Sequence, residues 1–331
     1  MKDAAGSLAW IAILVVLAMV LARRGVLSAR IVAALRALIT TVTLPVLLFR
    51  AFLQLQPDGR NALLALAVFA ACGVMGAVGV LLSRIARLPS PESRLLFQGF
   101  EAGMLGYALF IALHGSGRLS AFAALDMGQV VYVFTVLLVQ MSILSRRGTA
   151  GGGPTGAAPG VGSCAPEGAR DSTGRAFSWS ALLRSVVLWA IAAGLLLGRL
   201  LPDVAGRIVA ADHPVGLVFE TVGGLTTPLV CLVIGASLAG GIPRDRAIAT
   251  IVALRTAIGL GLGLVFGYLV VPALGFSEWH TRAAIMLFVL PAPFVIPVYY
   301  RRNPAFIGSV LTLSTLTSIT LIAALAVFGV V

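Results

Sequence analysis

The chain has 331 residues, 59% hydrophobic and 11% charged, with a net charge of +12 and a mean hydropathy of +1.03. These values exclude an ordinary soluble domain and describe an all-α integral membrane protein. They do not indicate a nucleic-acid partner, because Lys and Arg stand singly or in pairs between apolar runs, with no basic stripe or interleaved aromatics; the partner implied is the lipid bilayer.

In chain order, a window of about 19 residues marks ten apolar segments. The first, 8–22, is followed by Arg23 and Arg24 instead of being preceded by basic residues, so it reads as a retained helix and not a signal peptide. The second, 31–53, holds Thr43 and Pro45 late in the span. After the third, 62–82, the fourth, 95–113, contains FEAGMLGYALF, which places Glu101 beside Gly103, Gly106 and Tyr107. The fifth, 121–144, carries Asp126 and Gln129 one turn apart on one face. Residues 145–178 follow, with RRGTAGGGPTGAAPGVGSCAPEG, too rich in Gly, Pro and Ala to bury anything and expected to be a disordered cytoplasmic linker.

Beyond it lie 181–201 and then 215–238, where GLTTPLVCLVIGASL sets Thr226, Thr227 and Pro228 at the depth of Pro45. The eighth segment, 248–271, contains Arg255. The ninth, 283–299, reads LFVLPAPFVIPVYY with Pro291, Pro293 and Pro297, and 306–329 completes the set. Cys72, Cys164 and Cys231 show neither disulfide nor metal spacing.

The linker divides the chain into 1–144 and 179–331, each with five segments. An odd number of spans per half makes any repeat between them inverted in the membrane, a 5+5 arrangement of ten transmembrane helices. Connections after odd-numbered segments carry most of the basic residues, including the pairs Arg23/Arg24, Arg146/Arg147 and Arg301/Arg302, whereas Lys2 and the connections with Arg60, Arg118 and Arg282 hold few. Both termini therefore face outward. The short chain and the near-exclusive use of Arg fit a bacterial inner membrane.

Prolines and glycines at matching places in the two halves mark the fourth and ninth helices as broken. A break at mid-depth frees backbone groups in hydrocarbon, which is tolerated only where protein or water satisfies them, so paired breaks point to a transport site. Glu101 lies 8 residues after Ser93 and Pro293 lies 10 after Ala283, or about 12 and 15 Å at about 1.5 Å per residue, against a hydrocarbon core of about 30 Å. Both fall near the midplane. Thr43, Pro45, Thr227 and Pro228 read as support for the breaks, since hydroxyls commonly satisfy carbonyls freed in kinked helices.

The E-A-G-M-L-G run with YALFIALHG, the IGASLAGG end of the seventh segment and LPAPFVIPVYYRRNPAFIGSVLTLST resemble the auxin efflux carrier family, over nearly the whole chain. The resemblance implies crossing of helices 4 and 9 at their breaks, and transport of a small organic anion by motion of a helical bundle against a scaffold. The family pattern Asn-x-Gly-Phe-x-Gly-x-Pro is met here by Glu101, Gly103, Met104, Gly106 and Ala108. Asparagine has become glutamate and the proline is lost, which puts substrate and coupling at issue.

At such a crossing two helix N-termini, each about half a positive charge, attract an anion. An ionised Glu101 cancels that field and a protonated one leaves it available, so Glu101 is the expected proton-coupling residue. Arg255 either forks a substrate carboxylate or is the permanent partner of Glu101, an ion pair being a serious alternative where a lone charge costs about 2.5–3.5 kcal/mol. Asp126 and Gln129 are either a second polar wall or cation site, or a plain interhelical contact. A rival is a sodium-coupled symporter of bile-acid type with Glu101, Asp126 and Gln129 as oxygen ligands; another is a non-transporting sensor. Glu220 reads as an interface or scaffold contact, and Tyr299 and Tyr300 as interfacial aromatics.

No enzyme is expected. Ser237 lies at the opposite end from His114, His213 and His280, and the chain has no HExxH, carboxylate cluster or Walker loop. No cofactor or metal is implied beyond a coupling ion, H+ or Na+, and a homodimer is left open.

Overall fold

The computed structural model describes residues 2–55, 58–89, 91–149, 186–210, 212–241, 245–300 and 302–331, and every regular element among them is helical. Most of the expected linker, from 150 onward, lies outside the described residues, as do 181–185 of the sixth segment; 145–149 continue the preceding helix, which runs to Thr149.

The elements are α1 (Lys2–Arg23), α2 (Ala29–Leu53), α3 (Gly59–Ile85), α4 in two pieces (Glu92–Leu96 and Ala102–His114), α5 (Ser116–Thr149, its candidate span Ser116–Leu144), α6 (Val186–Leu200), α7 (Pro214–Leu238), α8 (Arg246–Ala273), α9 in two pieces (Glu278–Val289 and Ile296–Tyr299) and α10 (Pro304–Val327). A short helix, Pro202–Val209, joins α6 to α7. Six of them, α2, α3, α5, α7, α8 and α10, are long and apolar enough to cross a membrane, and α1, α6 and the second piece of α4 contribute shorter apolar stretches. That is the make-up of a multi-pass membrane protein.

Helix starts follow local chemistry. Asp58 accepts the Asn61 N–H at 2.7 Å to begin α3, and Asp245 accepts the Ala247 N–H at 2.8 Å to begin α8. α9 begins at Glu278, five residues ahead of its apolar segment, because Glu278 and Arg282 pair one turn apart and extend the helix through polar residues that a hydropathy window discards.

The helices sort into two bodies. In one, α1 packs along α7, and α2 packs along α6 and the start of α7; in the other, α3 packs on α5, α5 on α9, and α8 on α9 and α10. Since lipid is as apolar as a leucine side chain, such contacts depend on close backbone approach at small residues. Gly259, Gly263 and Gly267, four apart on α8, face α9, and a Cβ at Gly259 would collide with the Phe288 carbonyl. Thr281 on α9 returns a hydroxyl bond to the Gly267 carbonyl at 2.9 Å. In the other body, Gly194 and Gly198 of α6 leave room for α2: a Cβ at either would stand 2.6 Å from a carbonyl, that of Phe49 or of Leu53. The second piece of α4 lies between the bodies, against α1, α7 and α5.

Candidate functional site at the helix crossing

α4 unwinds between Phe97 and Glu101, at Gly99, whose φ of +66° favours glycine. A Cβ there would also stand 2.9 Å from Pro293 Cγ and from Val133 Cγ2, so this glycine lets the two broken segments cross. The break therefore sits ahead of Gly103 and Gly106, not at them. Those two fall in a π-type turn, Ala102–Gly106, that opens the second piece, and Gly106 admits Leu290 and Phe122, each 2.7 Å from its virtual Cβ. In α9 the break covers Leu290 to Val295 with Pro291 and Pro293 inside it, while Pro297 occupies the first turn of the second piece, where a missing N–H costs nothing. The Glu101 N–H donates to the Pro291 carbonyl at 2.9 Å and ties one break to the other.

Two buried charges close the broken ends. The Glu101 carboxylate accepts the Met104 N–H at 3.1 Å through Oε1 and the Phe294 N–H at 2.5 Å through Oε2, so one side chain serves the start of the second piece of α4 and the break of α9. Arg255 does the converse at the ends of both first pieces. Its Nη1 donates to the Leu96 carbonyl at 2.5 Å, and Nη2 to the Gly99 carbonyl at 2.5 Å and the Leu290 carbonyl at 3.4 Å. Its guanidinium also lies 5.4 Å from the Phe100 ring centroid. Hydrogen bonds to a charged group contribute about 1.5–3 kcal/mol each, so the two short ones offset an insertion cost of about 2.5–3.5 kcal/mol, while Nε is buried without a partner. Neither residue needs the other: the ion pairs among the described residues are Arg50–Glu220 and Arg282–Glu278. The alternative of a permanent Glu101–Arg255 pair is thereby corrected, because backbone ends occupy both groups.

Other freed carbonyls find partners from neighbouring helices. Gln129 on α5 donates to the Phe100 carbonyl at 2.8 Å and to Asp126 Oδ1 at 3.2 Å, and Ser318 on α10 donates to the Val289 carbonyl at 2.7 Å. Gln98, between the pieces of α4, donates to Gln140 at 2.7 Å and accepts the Tyr132 hydroxyl at 2.8 Å. Asp126 is buried and near enough to Glu101 for their charges to interact. The Tyr107 hydroxyl lies beside Asp126 outside hydrogen-bond geometry, and Gln129 Oε1 is buried without a partner. The crossing thus brings together Glu101, Gly103, Gly106, Tyr107, Asp126, Gln129, Pro291 and Pro293, with Arg255 on its far side.

The proline-bearing helices α2 and α7 behave differently. α2 stays continuous through a π-type turn at Ile39–Thr43, with Pro45 in the following first turn, and α7 is interrupted for one residue at Leu225, just ahead of Pro228. Thr43 and Thr226 hydroxyls are buried without partners, and Thr227 donates across the body boundary to the Ala108 carbonyl of α4 at 3.2 Å. The threonines therefore do not repair their own helices as expected. Tyr300 is fully buried against protein, whereas Tyr299 is exposed. Ser237 accepts from Arg36 Nη2 at 3.2 Å.

Sequence reasoning passed over Gly99 and the Phe294 N–H. A lone glycine just ahead of Phe100 and Glu101 was the available signal for the first; a backbone donor leaves none. Compared with models of known protein families and with curated proteins, the chain matches none.

Proposed function

We propose that the chain is a secondary transporter of a small organic anion, a carboxylate, coupled to a proton carried by Glu101. In this reading it crosses an inner membrane ten times as two inverted five-helix halves, with both termini outside, in the manner of the auxin efflux carriers it resembles, and catalyses no covalent chemistry. The observation that carries the reading is the seat of Glu101. A helix N-terminus is an anion site, and here the N–H of Met104, in the first turn of the second piece of α4, and the N–H of Phe294, in the break of α9, converge on one carboxylate that belongs to the protein itself.

An internal anion makes exchange the natural mechanism. With Glu101 ionised, the slot is filled and a substrate carboxylate is repelled. Protonation removes the charge and weakens both N–H bonds, and the N-terminus of the second piece of α4, with the Phe294 N–H beside it, becomes available to an external carboxylate. Proton and anion then bind together. Arg255 keeps its carbonyl partners throughout and holds the first pieces of α4 and α9 in register.

The buried, unpartnered Gln129 Oε1 and the adjacent Tyr107 and Asp126 favour one second reading, in which a sodium ion replaces the proton among those oxygens. Uptake of radiolabelled mono- and dicarboxylates into proteoliposomes, with imposed pH or sodium gradients, separates the two. Proton-driven flux that loses its pH dependence in Glu101→Gln supports the first; sodium-driven flux supports the second; no flux of any carboxylate that binds sinks both.

A further inference from the structure

Away from the crossing, α2, α7, the end of α4 and its turn into α5 line a half-open cavity of about 290 Å³, at the small end of ligand sites. Leu47, Ile111 and Phe219 form its apolar wall, and Arg50, Glu220 and Ser116 its polar one. The Arg50 side chain is only 6% exposed. Its Nη2 donates to the Val209 carbonyl at 3.0 Å and to Glu220 Oε2 at 3.3 Å, while Nε, the other arm of the same fork edge, is buried without a partner. Glu220 leaves Nε unmet in this arrangement, its second oxygen being turned to the Ser116 hydroxyl at 3.1 Å.

A guanidinium edge is satisfied best by two oxygens of one carboxylate on two adjacent N–H groups, and a buried donor left unmet is costly. Glu220 is 37% exposed and can swing into water at little expense. We propose that this cavity is a second ligand site, for a monocarboxylate with an apolar body. The ligand's carboxylate takes the Nε–Nη2 edge of Arg50, displaces Glu220, and lays its apolar part on Leu47, Ile111 and Phe219. One cation facing three apolar side chains selects a single carboxylate over a dicarboxylate. Ser116 belongs to the helix body opposite to Arg50 and Glu220, so occupancy also releases a bond between the two bodies. The site stands apart from Glu101 and does not depend on the coupling reading.

The test is binding of 4-fluorobenzoate to the purified full chain by ¹⁹F line broadening, with 4-fluorobenzyl alcohol as the uncharged control of like shape. The expected results are that Glu220→Gln tightens benzoate binding by a few-fold, and that Arg50→Lys and the neutral double variant Arg50→Gln/Glu220→Gln weaken it by roughly tenfold or more. Alcohol binding equal to benzoate, or wild-type affinity in both Arg50 variants, overturns the proposal. Wild-type affinity in Arg50→Lys together with tighter binding in Glu101→Gln moves the ligand to the crossing, overturning the proposal and leaving the transport reading intact. Arg50→Lys keeps the test decisive if the double variant does not fold.

Discussion

α2 and α7 each carry a single proline at mid-span, yet they remain spans with a bend, whereas α4 and α9 come apart. Proline alone does not account for the difference, since α4 has none at its break and unwinds at Gly99 instead. What separates the pairs is supply from outside. Around Gly99 and Pro291–Pro293 the freed backbone groups meet Glu101, Arg255, Gln129 and Ser318. Around Pro45 and Pro228 no side chain of another helix bonds a freed carbonyl among the described residues; α2 relies on its own Thr40 and Thr41, which donate to the Arg36 and Ala37 carbonyls, and the hydroxyls of Thr43 and Thr226 stay unpaired. A helix opens in hydrocarbon where side chains on other helices can take over its hydrogen bonds, and elsewhere it only kinks.

The largest effect expected from breaking this comparison is at Arg255. Arg255→Met leaves the Leu96, Gly99 and Leu290 carbonyls without that donor, at about 1–3 kcal/mol each. Little monodisperse protein should survive purification, and a melting temperature near that of wild type would contradict the role assigned to it. Next comes Gly99→Ala, which adds a Cβ at positive φ against Pro293 and Val133; strain and overpacking together predict a loss of about 1–3 kcal/mol, read as thermal unfolding in detergent.

Glu101→Gln should fold. Its amide oxygen keeps one N–H partner while its NH₂ faces the other, a loss of about 1–3 kcal/mol, and hydrogen exchange at Met104 or Phe294 should quicken. Smallest is Thr43→Val, which removes a hydroxyl already unpaired; stability is expected within about 0.5 kcal/mol of wild type or slightly higher. A substantial loss there would mean that α2 is held at its bend by Thr43 after all.

Hydropathy located the helices well, because a membrane span is a one-dimensional pattern: the segment 215–238 became Pro214–Leu238 and 31–53 became Ala29–Leu53. It failed at α9's start, where the Glu278–Arg282 pair lengthens a helix that apolarity alone would shorten. Glu101 was legible as a costly intramembrane charge, but its partners are backbone N–H groups, which every residue but proline carries and no sequence distinguishes. The same applies to Arg255: a charged side chain invites a charged partner on paper, and three carbonyls took it instead. The bond between Arg50 and Glu220 joins residues far apart in the chain and depends on how α2 and α7 pack. The glycines at 259, 263 and 267 were not singled out from the sequence, and it is the structure that shows α9 lying on them.

The central claim is that the Glu101 carboxylate occupies an anion slot and surrenders it on protonation. Wild type and Glu101→Gln, reconstituted side by side and assayed for radiolabelled carboxylate uptake under an imposed proton gradient, test it directly. The account predicts gradient-driven uptake by wild type and uptake indifferent to pH in the variant; transport by Glu101→Gln at the wild-type rate with an unchanged pH dependence would contradict it.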